Sequence, residues 1–265
     1  AGMVDAMDMH IGRLMDYLKE IGEFENTIFV FTSDNGAEGS NLIGVNGRAA
    51  LGMGSWFDRV GYNSDLETLG EANSFNAIGP NNATIAASPL AYYKFYASEG
   101  GLRVPLVMSG PGISKQNEKT DEFVFVTDLT PTILSLVDLE KHDGSWKGDS
   151  IEEIIGTDFS EFLQGGKSDI HSDSQAIGYE LGGNRALFKG DYKLVFNRSA
   201  VNDQNWHLFN IKTDPGEARD LAQIEPERYA EMLADYAAYE SSNNVLPMPE
   251  GYIQRREIFR GVQFN

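Results

Sequence analysis

The most constraining feature of the sequence is a short apolar run that stops abruptly at a polar turn. Residues 27–32, Thr-Ile-Phe-Val-Phe-Thr, are apolar without alternation, and Ser33-Asp34-Asn35-Gly36 follows at once. A run of this kind is typical of a strand covered on both faces, as in a parallel sheet between layers of helices. Ser, Asp, Asn and Gly are residues that favour turns. The sequence therefore predicts an α/β sheet whose first strand ends just before Asp34.

Helical patterns surround this strand. Apolar residues recur at helical spacing from Met3 to Leu18, and Gly22 is a plausible stop. Residues 106–108 predict a second buried strand, and residues 127–139 predict a helix. Such alternation of helices and strands favours an α/β fold.

The pattern of residue types along the chain changes near residue 140. Residues 185–196 predict a β-hairpin with its turn at Gly190-Asp191, and residues 206–211 predict a further strand. Pro226 is well placed to begin a helix that carries an apolar stripe. We therefore expect two parts, an α/β portion over 1–140 and a small α+β domain with its tail over 141–265.

Two stretches have less regular patterns. Residues 37–90 are rich in Gly, Asn and Ser without clear periodicity, which predicts a long loop region of the kind that is often functional. The aromatic residues of 92–96 favour a buried helix face or a strand over a platform for stacking bases.

Composition excludes several classes of function. The formal net charge of −19 disfavours binding to nucleic acid or to anionic lipid, and no apolar run reaches membrane-spanning length. The chain has no cysteine, so disulfides, thiolate metal sites and a cysteine nucleophile are excluded within it. We expect neither a nucleic-acid partner nor a membrane partner.

Asp34 and Asn35 are the first candidate site residues. Ligands of open α/β sheets bind beyond the carboxyl ends of strands, and carboxylate and amide oxygens suit Ca²⁺ or Mg²⁺. Gly36 would let the chain turn away sharply. For an isolated Asp-Asn-Gly, however, a polar turn that closes a strand is the simpler interpretation.

Lys94 is the second candidate, because a lysine beside a Gly-Gly turn can contact an anionic group. By itself it would more often be a solvated surface lysine. Gly100-Gly101 indicates a close backbone approach, with packing as the favoured reason, and Arg103 is expected to pair with Glu99.

The four histidines show no metal-ligand spacing: His10, His142, His171 and His207.

Several ordered motifs together resemble the type I sulfatases of the alkaline phosphatase superfamily, particularly the bacterial arylsulfatases. The resemblance covers nearly the whole chain. It is carried by the opening helix with Ile11-Gly12-Arg13, by the strand ending in Ser33-Asp34-Asn35-Gly36, and by residues 66–70, 74–75 and 79–80. The most specific part is Lys94 followed by Glu99-Gly100-Gly101-Leu102-Arg103-Val104-Pro105. Residues 190–194, 214–217 and 220–222 resemble the small C-terminal domain of that family.

The resemblance implies a fold and a set of roles. The fold would be the C-terminal part of an alkaline-phosphatase-like mixed sheet sandwiched by helices, plus a small antiparallel sheet with a packed helix. Asp34 and Asn35 would bind a metal, usually Ca²⁺ with Mg²⁺ possible, and Lys94 would contact the sulfate of the substrate. A cation and a metal at the developing charge are a usual source of rate enhancement.

The resemblance also implies what the chain lacks. Sulfatases of this type use a formylglycine formed from the first residue of a Cys/Ser-x-Pro-x-Arg motif, and that motif does not occur here. We expect the formylglycine, the remaining metal carboxylates and the active-site histidines in an N-terminal half of the same enzyme. The chain alone is therefore predicted to be inactive.

The expected function is hydrolysis of sulfate esters by the parent enzyme. Asn81-Asn82 stand where arylsulfatases often carry a tryptophan, which bears on the aryl preference. One alternative is a phosphonate monoester or phosphodiester hydrolase of the same superfamily, and another is a non-catalytic interaction module. A periplasmic or extracellular location is favoured. The substrate's organic portion and the oligomeric state are not determined by the sequence.

Overall fold

The computed structural model describes residues 2–39, 53–115, 117–142, 144–198, 203–249 and 251–252. Elements are numbered in chain order. The helices are α1 (Gly2–Glu20), α2 (Met53–Val60), α3 (Gly79–Ala87), α4 (Glu99–Leu102), α5 (Leu129–Leu136), α6 (Ser160–Leu163) and α7 (Pro226–Ser242). The strands are β1 (Phe29–Thr32), β2 (Leu106–Ser109), β3 (Ser145–Trp146), β4 (Asp149–Ser150), β5 (Ala176–Leu181), β6 (Asn184–Lys189), β7 (Tyr192–Phe196) and β8 (Trp206–Asn210). Among the described residues, no helix is long and apolar enough to cross a membrane.

The contacts divide the chain into two compact units, each built from two separate stretches. The first unit comprises residues 1–32 and 105–173, and the second comprises residues 33–104 and 174–265. The boundary predicted near residue 140 concerns domains of the parent enzyme and stays a prediction. The division by contacts is different, because it groups the segments around Asp34 and Lys94 with the C-terminal sheet.

In the first unit, β1 pairs with β2 in an antiparallel ladder that runs from Phe29 opposite Ser109 to Thr32 opposite Leu106. The predicted burial of both strands is wrong for the described chain, because Phe31 is 41% exposed and Val107 is 56% exposed. The predicted opening helix is confirmed as α1, but none of its residues is buried.

A buried polar network organises the rest of the first unit. The carboxylate of Asp128 accepts hydrogen bonds from the backbone N–H groups of Phe125 (2.6 Å) and Thr157 (2.7 Å). Its Oδ2 also lies 2.9 Å from His171 Nε2. Because an unpaired carboxylate would be costly to bury, these bonds allow Asp128 to sit at the start of α5. The helix expected over 127–139 is present with shorter bounds.

In the second unit, the predicted hairpin is confirmed as β6 and β7, and the predicted strand is confirmed as β8. The sheet order is β5-β6-β7-β8, with every pair antiparallel. Helix α7 packs on one face of this sheet. The core there is formed by five buried side chains: Leu187, Leu194, Leu208, Met232 and Tyr236.

Two sequence-based expectations for the second unit are wrong. The stretch 37–90 is not a continuous loop, because it contains α2, α3 and a 3₁₀ turn at Leu66–Thr68. Part of it, residues 40–52, lies outside the described residues. The aromatic stretch 92–96 forms neither a helix nor a strand but a series of turns.

Candidate functional site

Asp34 and Asn35 lie directly after β1, as predicted, in a polar turn. Ser33 Oγ donates to Asn35 O at 2.9 Å, and Asn35 Nδ2 donates to Asp34 Oδ1 at 2.9 Å. Asp34 is exposed and Asn35 is half-buried. The amide nitrogen of Asn35 is engaged within the turn, so the amide oxygen is the end of this side chain that suits a cation.

Gly36 is required here by a close contact. Its N–H donates to Gly101 O at 2.9 Å. A Cβ added at Gly36 would lie 1.8 Å from Gly100 O. The chain bends at Gly36 as expected, but Gly36 does not have a positive φ, so the close backbone contact is what requires glycine here. Packing also accounts for Gly100, whose added Cβ would lie 2.2 Å from Tyr92 O.

Residues 91–101, the lysine loop, fold back on themselves and carry Lys94. Gly100 N donates to Ala91 O at 2.8 Å and closes the loop. Tyr92 and Phe95 have φ values of 60° and 80°. This left-handed conformation costs a non-glycine residue roughly 1–2 kcal/mol, so surrounding contacts must hold it in place.

The structure brings Lys94 together with the segment that follows Asp34 and Asn35. Lys94 N donates to Ala37 O at 3.0 Å. Its Nζ lies 2.8 Å from Glu38 Oε2 and 5.3 Å from the centre of the Phe95 ring. The lysine is thus an ion-paired, half-buried residue, and a sulfate group would have to compete with Glu38 for it. The predicted sulfate contact itself stays a prediction.

The donor types of Asp34 and Asn35 fit a hard divalent cation but supply only part of a coordination shell. Ca²⁺ takes six to eight oxygen ligands, and these residues offer one carboxylate and one amide oxygen. Within the described residues, no group of three or more His, Cys, Asp or Glu side chains could hold a metal ion. Any metal bound here therefore requires further ligands.

Sequence reasoning missed a buried charge cluster formed by Glu99, Lys193 and Glu217, the Lys193 cluster. Lys193 projects from β7 and is 0% exposed. Its Nζ donates to Glu99 Oε1 at 2.8 Å and lies 2.9 Å from Glu217 Oε1. The second contact is an ion pair without good hydrogen-bond angles, and both carboxylate oxygens of Glu217 lack a hydrogen-bond partner within the described residues.

Burial and charge act in opposite directions on Lys193. Burial lowers the pKa of its ammonium group, but the carboxylates of Glu217 and Glu99 outweigh that effect, and the pKa is raised. Lys193 therefore stays protonated.

The predicted pair of Arg103 and Glu99 is confirmed, with Arg103 Nη1 3.7 Å from Glu99 Oε2.

Two asparagines of the sheet also hold the lysine loop. Asn197 Oδ1 accepts from Ala97 N at 2.7 Å, and Asn197 Nδ2 donates to Ser98 Oγ at 2.8 Å. Asn184 Nδ2 donates to Phe95 O at 2.7 Å. The loop that carries Lys94 is thus attached to β6 and to the end of β7.

Two of the four histidines, His171 and His207, lie beside carboxylates. His207 lies between two carboxylates, with Nδ1 2.8 Å from Asp220 Oδ2 and Nε2 2.9 Å from Asp203 Oδ1. His171 belongs to the Asp128 network and also contacts Thr157 Oγ1 at 3.2 Å. Neither arrangement has metal-ligand character.

Comparisons with known proteins identify the family. The sulfatase family model matches residues 1–139, slightly more than half of the chain. The chain belongs to the sulfatase family. It is a type I sulfatase sequence of the alkaline phosphatase superfamily. A second model, described as the C-terminal part of N-sulphoglucosamine sulphohydrolase, matches residues 91–238.

Relatives of this sulfatase chain are longer than the chain itself. An uncharacterized sulfatase of Schizosaccharomyces pombe is 35% identical over 266 residues, which cover 100% of this chain and 47% of the relative. An arylsulfatase of Klebsiella aerogenes is 30% identical over 141 residues, covering 53% of this chain and 29% of the relative. The chain thus spans less than half the length of these relatives.

A solved structure supports the fold. The structure of BT4656 in complex with its substrate D-glucosamine-2-N,6-O-disulfate has a TM-score of 0.57 and 18% identity, with coverage of 93% of this chain and 41% of that chain. At this identity the similarity supports the alkaline-phosphatase-like fold alone.

Proposed function

We propose that this chain is the C-terminal part of a sulfatase that hydrolyses sulfate esters, with arylsulfatase-like substrates. The observation that carries the proposal is one backbone network. It joins the segment after Asp34 and Asn35 to the lysine loop through two bonds, one from Lys94 N to Ala37 O at 3.0 Å and one from Gly36 N to Gly101 O at 2.9 Å. Because the chain belongs to the sulfatase family, we interpret the residues that this network brings together as metal-binding and sulfate-binding residues.

In this proposal, each residue of the chain has one role. Asp34 and Asn35 hold a calcium ion, with magnesium as the other option, through their side-chain oxygens. Bound calcium would supply positive charge beside the sulfate group of the ester. Lys94 exchanges its ion pair with Glu38 for a contact with a sulfate oxygen and stabilises the charge that develops when the ester bond breaks.

The nucleophile and the other metal ligands belong, in this proposal, to sequence outside this chain. A formylglycine there would supply the nucleophile. Exposed apolar side chains support a covering partner, which we propose to be the N-terminal half of the same enzyme. Met3 is 89% exposed and Leu14 is 53% exposed on α1, and Val107 is 56% exposed on β2. A periplasmic or extracellular location stays a prediction.

The 30% identity to an arylsulfatase over half of the chain supports aryl sulfates as substrates. Asn81 and Asn82, where arylsulfatases often carry a tryptophan, lie exposed in α3, and Asn82 Nδ2 donates to Ile78 O at 2.9 Å. Polar side chains at this position also suit a sugar substrate, so both substrate types belong in the assay.

The test is a substrate comparison with the full-length protein. We expect 4-nitrophenyl sulfate or glucosamine 6-sulfate to be hydrolysed with a higher kcat/KM than a 4-nitrophenyl phosphonate monoester. A large preference for the phosphonate would instead support a phosphonate monoester hydrolase. Absence of turnover on all three compounds, for protein that folds, would support a non-catalytic interaction module.

A further inference from the structure

The C-terminal sheet contacts the lysine loop through buried and half-buried polar side chains on the sheet face that carries Lys193 and Val195. Lys193 and Val195 of β7 are 0% and 2% exposed and alternate with Leu194, which belongs to the core beneath α7. Because side chains alternate along a strand, Lys193 and Leu194 face opposite sides of the sheet. The face with Lys193 therefore holds the lysine loop, while the other face packs on α7.

Three polar side chains on or next to this face contact the loop within a few residues of Lys94. Asn184 bonds Phe95, Asn197 bonds Ala97 and Ser98, and Lys193 bonds Glu99. These contacts begin beside Phe95, one of the two residues with a left-handed backbone. Strained conformations persist where the surroundings over-determine them, so the sheet contacts support the left-handed backbone at Phe95 and the residues that follow it.

Stability alone is a weak reason for the Lys193 cluster. A buried ion pair is often no more stabilising than well-packed apolar residues of similar volume. Here one lysine meets two carboxylates, Arg103 lies 3.7 Å from Glu99, and the carboxylate of Glu217 has no hydrogen-bond partner of good geometry within the described residues. A geometric role for the bond between Lys193 and Glu99 accounts for it better.

We propose that Glu99 and Lys193 are positioning residues that fix Lys94 for contact with the sulfate group. This inference rests on the proposed function, because it presupposes that Lys94 contacts sulfate. Glu217 is the counter-charge of Lys193 and does not reach the lysine loop through a hydrogen bond. The C-terminal sheet is thus a scaffold for the site rather than an appended domain.

The test compares two substitutions that change the charge equally, in the full-length enzyme. Glu99→Gln weakens the bond to the lysine loop and leaves Lys193 and Glu217 as a neutral pair. Glu217→Gln leaves the bond between Lys193 and Glu99 intact. We expect Glu99→Gln to lower kcat/KM for 4-nitrophenyl sulfate roughly tenfold, and Glu217→Gln to lower it much less. The inhibition constant of inorganic sulfate should rise with Glu99→Gln.

Combining these changes with Lys94→Ala separates positioning from folding. If Glu99 acts through Lys94, Glu99→Gln lowers kcat/KM in the wild-type background and has no further effect in the Lys94→Ala background. Arg103→Gln removes the other ion pair of Glu99 and is the control, with kcat/KM expected to stay within roughly twofold of wild type. Should Glu99→Gln fail to fold, Asn184→Ala loosens the same loop at Phe95 and should show the same dependence on Lys94.

Equal losses in the two Lys94 backgrounds, or equal losses from Glu99→Gln and Glu217→Gln, would overturn the inference while leaving the proposed function standing. A wild-type enzyme that hydrolyses no sulfate ester would instead overturn the proposed function. An active enzyme that is indifferent to Lys94→Ala would remove the sulfate contact from Lys94, and this inference with it.

Discussion

At the scale of single residues, close backbone contact explains the glycines of the site. Gly36 meets Gly100 and Gly101 so closely that no side chain fits between them, as the 1.8 Å from an added Cβ to Gly100 O indicates. That contact fixes the distance between the turn with Asp34 and the loop with Lys94. A substitution there should act on the geometry of the site rather than on backbone strain.

Gly36→Ala should therefore lower activity severely. Since the obstructing atom is backbone, the two segments must move apart, and a displacement near 1 Å in an active site can lower the rate roughly 100-fold. The measurement is kcat/KM for a sulfate ester with the full-length protein. Gly166→Ala is the matched control, because Gly166 does not have a positive φ and an added Cβ there meets its nearest atom, Glu161 O, at an ordinary contact distance of 3.4 Å. Equal activity of Gly36→Ala and Gly166→Ala would contradict this account.

Residue types and local spacing made Asp34, Asn35 and Lys94 candidates, but by themselves they favoured a polar turn and a surface lysine, and the family resemblance implied the metal and sulfate roles. The Lys193 cluster was not predicted at all. Its members lie far apart along the chain, and a lysine that alternates with apolar residues in a strand is usually solvent-exposed. Only the fold shows that both faces of β7 are buried.

At the scale of secondary-structure elements, turn-forming residues and helix-start residues correctly predicted the positions of a hairpin turn and a helix. Gly190-Asp191 predicted the turn between β6 and β7, and Pro226 predicted the start of α7. Strand β5 was missed because Gly178 in its middle weakens the strand pattern. The structure explains that glycine, since an added Cβ would lie 2.3 Å from the ring of Tyr239 on α7.

Strand β8 carries a charge arrangement that should make stability depend on pH. Partial burial lowers the pKa of His207, but hydrogen bonds to Asp203 and Asp220 outweigh it, and the pKa is raised. The hydrogen bond from His207, with bonds from Asn205, lowers the pKa of Asp203 to about 2. A histidine with a raised pKa contributes stability that is complete below its unfolded pKa of about 6.5 and is lost as the pH rises through the folded pKa.

His207→Gln should consequently lower the Tm more at about pH 5.5 to 6 than at about pH 9. The lower range lies between the unfolded Asp and His pKa values, so the aspartates are ionised and the histidine is protonated there. Below the unfolded Asp pKa of about 4 the difference should shrink again, and the loss should continue as the pH falls to the folded pKa of Asp203 at about 2. Thermal unfolding of wild type and variant across this range checks the prediction. His10→Gln, on the exposed surface of α1, is the control and should change the Tm little. A His207→Gln effect that grows from pH 6 to pH 9 would refute the assignment.

At the scale of the whole molecule, the division of the chain differs from the order of the sequence. The segments with Asp34 and Lys94 fall in the same compact unit as the C-terminal sheet, although the pattern of residue types along the chain changes only near residue 140. Long-range contacts such as Lys193 with Glu99 create this grouping, and local sequence patterns contain no information about them. The family resemblance gave the fold class but not this arrangement.

The exposure of β1 and β2 in the first unit is a second feature that local sequence patterns did not predict. Their apolar composition predicted burial, and the described chain alone does not bury them. In our proposal the N-terminal half of the enzyme covers these surfaces and completes the metal site. The central claim is therefore that the full-length protein hydrolyses sulfate esters at a cation held in part by Asp34.

The most direct test is the calcium dependence of sulfate-ester hydrolysis by full-length wild type and Asp34→Ala. We predict that wild-type activity is lost on chelation and restored by Ca²⁺, and that Asp34→Ala lowers kcat/KM at least roughly 100-fold and weakens the dependence on calcium. Asp169→Ala, at an exposed position outside α1, β1 and β2, is the matched control and should behave as wild type. Unchanged activity and unchanged calcium dependence in Asp34→Ala would contradict the account.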